Sequence, residues 1–182
     1  MKKFICLAIL SLILTLPLSV FAKNTRFLGD EYYFDIPDVQ NFNVVAALSA
    51  NSLQGFRFFN QNTTGTITAT KTPSETFPHF ISKQNWEAAS LDLQAWKETI
   101  KTQNAGELVS VEDVATTTGV IYVVKKELGR EGYYNVIAQK VYAGTLYVVI
   151  FSTTERYVNQ AKATAITIIT SITPRKQPQT GN

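Results

Sequence analysis

From Gly119 onward, apolar and polar positions alternate in runs separated by almost nothing. The segment "GVIYVVKKELGREGYYNVIAQKVYAGTLYVVIFS" (119–152) holds three strand runs divided only by "LGREG" and "AG". Connections this short make antiparallel hairpins, because a parallel crossover needs about a dozen residues or more. "TLYVVIFS" is apolar on both of its alternating faces, so that strand must be covered on both sides of its sheet. A helix follows at once. "STTE" (152–155) matches a capping box in which the Ser152 hydroxyl bonds the N3 amide and Glu155 reaches back. The stripe Tyr157, Ala161, Ala165, Ile168 and Ile172 predicts a helix docked on the sheet, stopped by Pro174.

The earlier elements read less uniformly. "DEYYFDIP" (30–37) is a short strand ended by Pro37. "NVVAALSAN" (43–51) is compatible with a short helix through its alanines or a strand through Val44 and Val45. In "GFRFFNQNTTGTITATKTP" (55–73), aromatic and β-branched runs flank turn-forming residues, which predicts a hairpin. Trp86, Ala89, Leu93, Trp96 and Ile100 recur at helical spacing, predicting a helix over 83–102 with Ser82 as its cap and Gly106 just past its end. "GELVSVEDV" (106–114) then reads as a strand. No repeat, low-complexity tract or Pro/Gly linker divides residues 23–173, so one domain is expected, with 174–182 a disordered polar tail. The expected class is α+β: an antiparallel meander flanked by helices on both faces, with the C-terminal helix closing the sheet.

The first residues change how composition is read. "MKKFICLAILSLILTLPLSVFA" has two lysines, an apolar run and small residues at Val20 and Ala22, the pattern of a secretory signal cleaved after residue 22. The run is shorter than the roughly 20 residues that span a bilayer, so no stable membrane anchor is expected after cleavage. The whole chain has 17 Lys and Arg against 14 Asp and Glu, and Lys2 and Lys3 leave with the signal. A mature charge so close to balance gives no footprint for nucleic acid. The single cysteine, Cys6, departs too, so the exported domain has no disulfide and no thiol chemistry. The expected location is the periplasm or the extracellular space.

Candidate catalytic chemistry is sparse. His79 in "FPHF" is the one histidine and stands in a Pro-containing segment without a nucleophile-elbow pattern, so a structural or surface role is the default. Glu112 and Asp113 are neighbours on a strand and point to opposite faces, which denies them a shared site. Asp30, Glu31, Asp35 and Asp38 offer carboxylates for a hard cation, but not at EF-hand spacing, and no metal site is assigned. "GREG" (129–132) is a hairpin connection with no helix after it to bind phosphate. Asn62-Thr63-Thr64 matches a glycosylation sequon, a triplet common by chance. Trp86 and Trp96 belong to the helix stripe and default to core. The binding candidates are Arg57 and Phe59. Strand alternation sets them with Gln61 on one face, opposite Phe56 and Phe58.

The order of elements, the phrase "F-D-I-P" in "YYFDIP" and the closing A-x-x-I-x-x-S-I within Thr164 to Ile172 resemble the PsbP-like family. That family includes the extrinsic PsbP subunits of photosystem II, small exported bacterial proteins and a nuclear-transport factor sharing the fold. The resemblance spans about residues 27 to 173 and implies an α/β/α sandwich and a non-catalytic accessory or binding role. No family site residue is carried over. The leading expectation is therefore an exported non-enzymatic protein without a cofactor, acting on a protein partner through a surface. A binder of a small apolar or lipid ligand, favoured by the 12% aromatic content, is second, and a hydrolase third.

Overall fold

The structure, a computed structural model, describes residues 24–37, 42–47, 53–70, 92–115, 119–128, 131–142 and 145–175. Ten strands and two helices are placed among them. The strands are β1 (Asn24–Leu28), β2 (Tyr32–Pro37), β3 (Asn43–Ala47), β4 (Leu53–Phe59), β5 (Thr63–Thr70), β6 (Leu108–Asp113), β7 (Gly119–Leu128), β8 (Glu131–Tyr142), β9 (Thr145–Thr153) and β10 (Thr173–Pro174). The helices are α1 (Leu93–Gln103) and α2 (Val158–Ser171), the latter preceded by a 3-10 turn at Glu155–Tyr157.

Seven strands form one sheet in the order β3-β4-β5-β9-β8-β7-β6, antiparallel at every step. The expected meander is its second half, and the hairpin of β4 and β5 extends it because β5 pairs with β9 along eight residues. β9 is consequently hydrogen-bonded on both edges and buried along most of its length. Its alternation divides the core in two. Leu146 and Val148 join Trp96 and Ile100 of α1 on one face. Tyr147, Val149 and Phe151 join Ala161, Ala165, Ile168 and Ile169 of α2 on the other. Helices thus cover both faces, which makes the domain an α+β sandwich.

Two pairs of consecutive residues record this division. On β8, the Gln139 side chain accepts a 3.2 Å bond from the Trp96 indole of α1. Its neighbour Lys140 turns the other way and donates to the carbonyls of Ile169 and Ile172 at the end of α2, at 3.2 and 3.3 Å. Lys140 is only 6% exposed. Burial lowers its pKa, while the carbonyl end of the helix dipole favours its charge. On β6, Glu112 pairs with Lys162 of α2 and Asp113 with Lys97 of α1. The two carboxylates face opposite layers, as alternation requires.

A small sheet, β1-β2-β10, packs beside α2 on the same face of the large one. Tyr32, Phe34 and Ile36 alternate inward from β2. The Tyr32 ring stands edge-on to Phe56 and Tyr147 at 5.7 and 5.4 Å between centroids, and Phe34 meets Phe56 at 4.9 Å. Offset and edge contacts of this kind add to the stabilisation from burial alone. Ser171 ties α2 to the same strand by accepting the Asp35 amide at 2.8 Å.

Of the two readings of 43–51, the strand holds for Asn43–Ala47, which is β3 with β4 as its ladder partner. Several other expectations are corrected. α1 begins at Leu93 instead of residue 83, because the Asp92 carboxylate accepts the amides of Gln94 and Ala95 and caps the helix there. Ser82, Trp86 and Ala89 lie outside the described residues. The capping box at 152–155 does not form. β9 continues through Thr153, and the Ser152 hydroxyl donates to the Asn135 side chain at 2.7 Å. The α2 stripe gains Thr164 and Ile169. Thr164 can be buried because its hydroxyl donates back to the Gln160 carbonyl at 3.0 Å. The fold also runs beyond residue 173. Pro174 pairs with Tyr32, and Arg175 donates its amide to Glu31 and its guanidinium to Gly29, both at 2.8 Å. Residues 1–22 and 176–182 lie outside the described ones.

Trp96 is 1% exposed, so Trp96→Ala is expected to destabilise the domain by about 3–5 kcal/mol in urea unfolding. A second expectation concerns alkaline pH. Burial holds the phenols of Tyr32, Tyr122 and Tyr147 above the ordinary value of 10.0, with Tyr122 pushed up to about 12. Above pH 10.0 the unfolded chain releases these protons before the folded one, so stability falls as pH rises. In a spectrophotometric titration, their tyrosinate absorbance should appear only as near-UV ellipticity is lost, and Tyr122→Phe should shallow the decline.

Candidate functional site

β4 reads apolar toward α2 and mixed toward α1. Phe56 is buried under β2, whereas Arg57 and Phe59 point to the opposite face. Register supplies their neighbours. Arg57 lies opposite Thr66, which lies opposite Ile150, and Phe59 lies opposite Thr64, which lies opposite Ser152. Two cross-strand rows, Arg57-Thr66-Ile150 and Phe59-Thr64-Ser152, therefore form the walls of one groove of about 450 Å³. Side chains directly opposite on one face stand about 5 Å apart, close enough for one ligand group to touch both rows.

The chemistry of the groove follows from those six side chains. Arg57 is exposed and has no acidic partner among the described residues. Its guanidinium offers five donors and no acceptor. Phe59 is 44% exposed. Thr64 and Thr66 add hydroxyls, while the Ser152 proton is committed to Asn135, leaving its oxygen to accept. Ile150 continues under α1, where it packs with the Trp96 cluster. Among the described residues, no carboxylate lines the groove. It suits a ligand surface that combines an anionic or carbonyl oxygen with an apolar or aromatic group.

Gly65 forms the groove floor between Thr64 and Thr66. It lies directly opposite Phe151, and a Cβ there would enter the Phe151 ring and sit 3.1 Å from the Ile150 carbonyl oxygen. The ring cannot simply turn aside, because Phe151 is fully buried with the Phe42 ring 5.6 Å away. The aromatic instead lies over the bare backbone of β5 at Gly65.

The remaining sequence candidates do not gather into a site. Asp35 forms a bidentate pair with Arg26 at 2.7 and 3.0 Å, and Asp38 lies outside the described residues. No group of three or more potential metal ligands occurs among the described residues. His79 and Trp86 are outside them. Gln61, expected on the strand face with Arg57 and Phe59, lies instead in the turn after β4 ends. Sequence alone does not assign Thr64, Thr66, Ile150 or Ser152 to this face, since only the pairing register brings them to Arg57 and Phe59.

No protein-family profile and no curated protein matches the chain. Solved structures with similar folds include a Bacteroides thetaiotaomicron protein, at a TM-score of 0.52 and 12% identity over 86% of this chain and 49% of that one. The chain thus spans about half the length of the Bacteroides protein, and the likeness is one of fold. Cyanobacterial PsbP from Synechocystis is similar over 87% of this chain and 96% of its own, at 15% identity and a TM-score of 0.46. A Pseudomonas aeruginosa protein of unknown function is similar over 85% and 99%, at 12% identity and a TM-score of 0.41. No helix among the described residues is long and apolar enough to cross a membrane.

Gly65→Ala is expected to destabilise by about 1–3 kcal/mol, the usual cost of overpacking. Chemical denaturation should show the loss, and a further Phe151→Leu substitution should recover part of it.

Proposed function

We propose that the domain is an exported, non-enzymatic binding module that engages a protein partner through the sheet face carrying Arg57 and Phe59. One observation carries the reading: among the described residues, an arginine without an acidic partner stands two positions from a half-exposed aromatic, in a groove lined by no carboxylate. Arginine and large aromatics supply most of the energy at protein interfaces. Both sit on a paired strand in the body of a sheet, so little conformational freedom is lost when a partner docks. The chemistry matches a partner segment with an acidic side chain next to an apolar one. The Lys2-Lys3 start, the apolar run and the small residues at Val20 and Ala22 support export.

The test is photocrosslinking in the native compartment from a photoreactive side chain at position 64, followed by affinity measurement with the trapped partner. Arg57→Ala combined with Phe59→Ala is expected to weaken binding roughly tenfold or more. The melting temperature should move by less than about 2 °C, since neither side chain is core. Early melting of the double variant would assign Phe59 to packing, and unchanged affinity would remove the groove from the interface.

A further inference from the structure

The end of the sheet carries a second pocket with different chemistry. It lies between the β4–β5 turn and the start of α2, measures about 710 Å³, and shares only Phe59 with the groove. Small-ligand pockets run from roughly 300 to 1,000 Å³. Among the described residues, none that lines it is charged. Asn43, Gln61, Asn62 and Gln160 bring carboxamides to it, and Phe59 and Tyr157 bring rings. We propose that this pocket binds a neutral polyhydroxylated ligand, namely a carbohydrate chain.

The argument is one of matching groups. A hydroxyl both donates and accepts, and a carboxamide presents two donors beside an acceptor, so amides can pair with hydroxyls whichever way each is turned. The four carboxamides make no side-chain hydrogen bond among the described residues, which leaves them available to a ligand. The rings provide apolar surfaces for the C–H faces of a sugar, while the lack of formal charge among the described lining residues disfavours nucleotides, phosphates and acidic ligands. A lipid tail would strip water from the amides without replacing their hydrogen bonds.

The pocket is also held in shape. The Asn60 side-chain oxygen accepts the amides of Asn62 and Thr63 at 2.9 and 2.8 Å, closing the turn. Thr63 and Thr153 share a 3.0 Å hydroxyl contact, and Thr153 also donates to the Asn62 carbonyl at 3.1 Å. The turn is thereby tied to β9, beside the 3-10 turn that presents Tyr157. Pre-organised donors and acceptors lose less entropy on binding. This inference is independent of the protein-binding groove.

The test is a titration of the isotope-labelled protein with maltohexaose, cellohexaose, mannohexaose and chitohexaose, with an uncharged Gly-Ser-Asn peptide in parallel. The expected result is that at least one oligosaccharide shifts the side-chain amide resonances of Gln61, Asn62 and Gln160. Its affinity should change by less than about twofold between roughly 0.05 and 0.5 M salt, because no charge is involved. Gln61→Ala and Tyr157→Ala should each weaken it about tenfold with unchanged melting. Arg57→Ala should have no effect, which separates this pocket from the groove. The proposal is overturned if no oligosaccharide moves those resonances, if the peptide alone moves them, or if binding collapses with salt.

Discussion

The structure depends on one strand that is apolar on both faces. β9 cannot lie at an edge or leave either face to water, because Leu146 and Val148 point one way while Tyr147, Val149 and Phe151 point the other. Each fully buried side chain of this size contributes about 1.5–3 kcal/mol. The strand therefore recruits β5 and β8 to its edges and a helix to each side. Once that happens, the three-layer arrangement is set, and the described residues are held together without any disulfide.

Layers that sandwich one sheet must also be kept in register, and polar side chains on neighbouring positions do this. Gln139 reaches the Trp96 indole while Lys140 reaches the last turn of α2. Replacing either contact by a mere apolar fit would leave polar groups unpaired in the interior, which costs more than the net gain of a hydrogen bond. Glu112 and Asp113 repeat the scheme at the edge strand, where these exposed carboxylates pair with half-buried lysines and each pair is worth little by itself. The tempting carboxylate pair is thus two inter-layer contacts.

The two surface features lie side by side where β4 and β5 meet the end of β9. One groove is basic and aromatic, formed by two cross-strand rows. The neighbouring pocket is neutral and amide-rich, formed by a turn and the entry to α2. They share the Phe59 ring, yet the electrostatics differ enough that each selects its own class of ligand.

How much could be read in advance follows from the range of each interaction. Period-two alternation and two-residue connections are local, so β7, β8, β9 and the hairpin of β4 and β5 were legible, as was the opposed pointing of Glu112 and Asp113. The C-terminal apolar stripe was legible for the same reason. The start of α1 was not, because Ser82 and Asp92 both look like caps and the apolar spacing runs through both. Ser152 has the local signature of a helix cap as much as of a strand hydroxyl, and only the Asn135 side-chain oxygen across the ladder decides between them. The pairing of β5 with β9 joins residues some eighty positions apart, and nothing local encodes it. That pairing alone sets Arg57 and Phe59 beside Thr64, Thr66, Ile150 and Ser152, and brings the turn amides to Tyr157 and Gln160. The sequence by itself determined the hairpin strands, the two-sided burial of β9 and the face on which Arg57 and Phe59 lie, since these depend on periodicity along the chain. Which distant side chains complete each site was decided by tertiary structure, through the register of strands that only the closed core brings together.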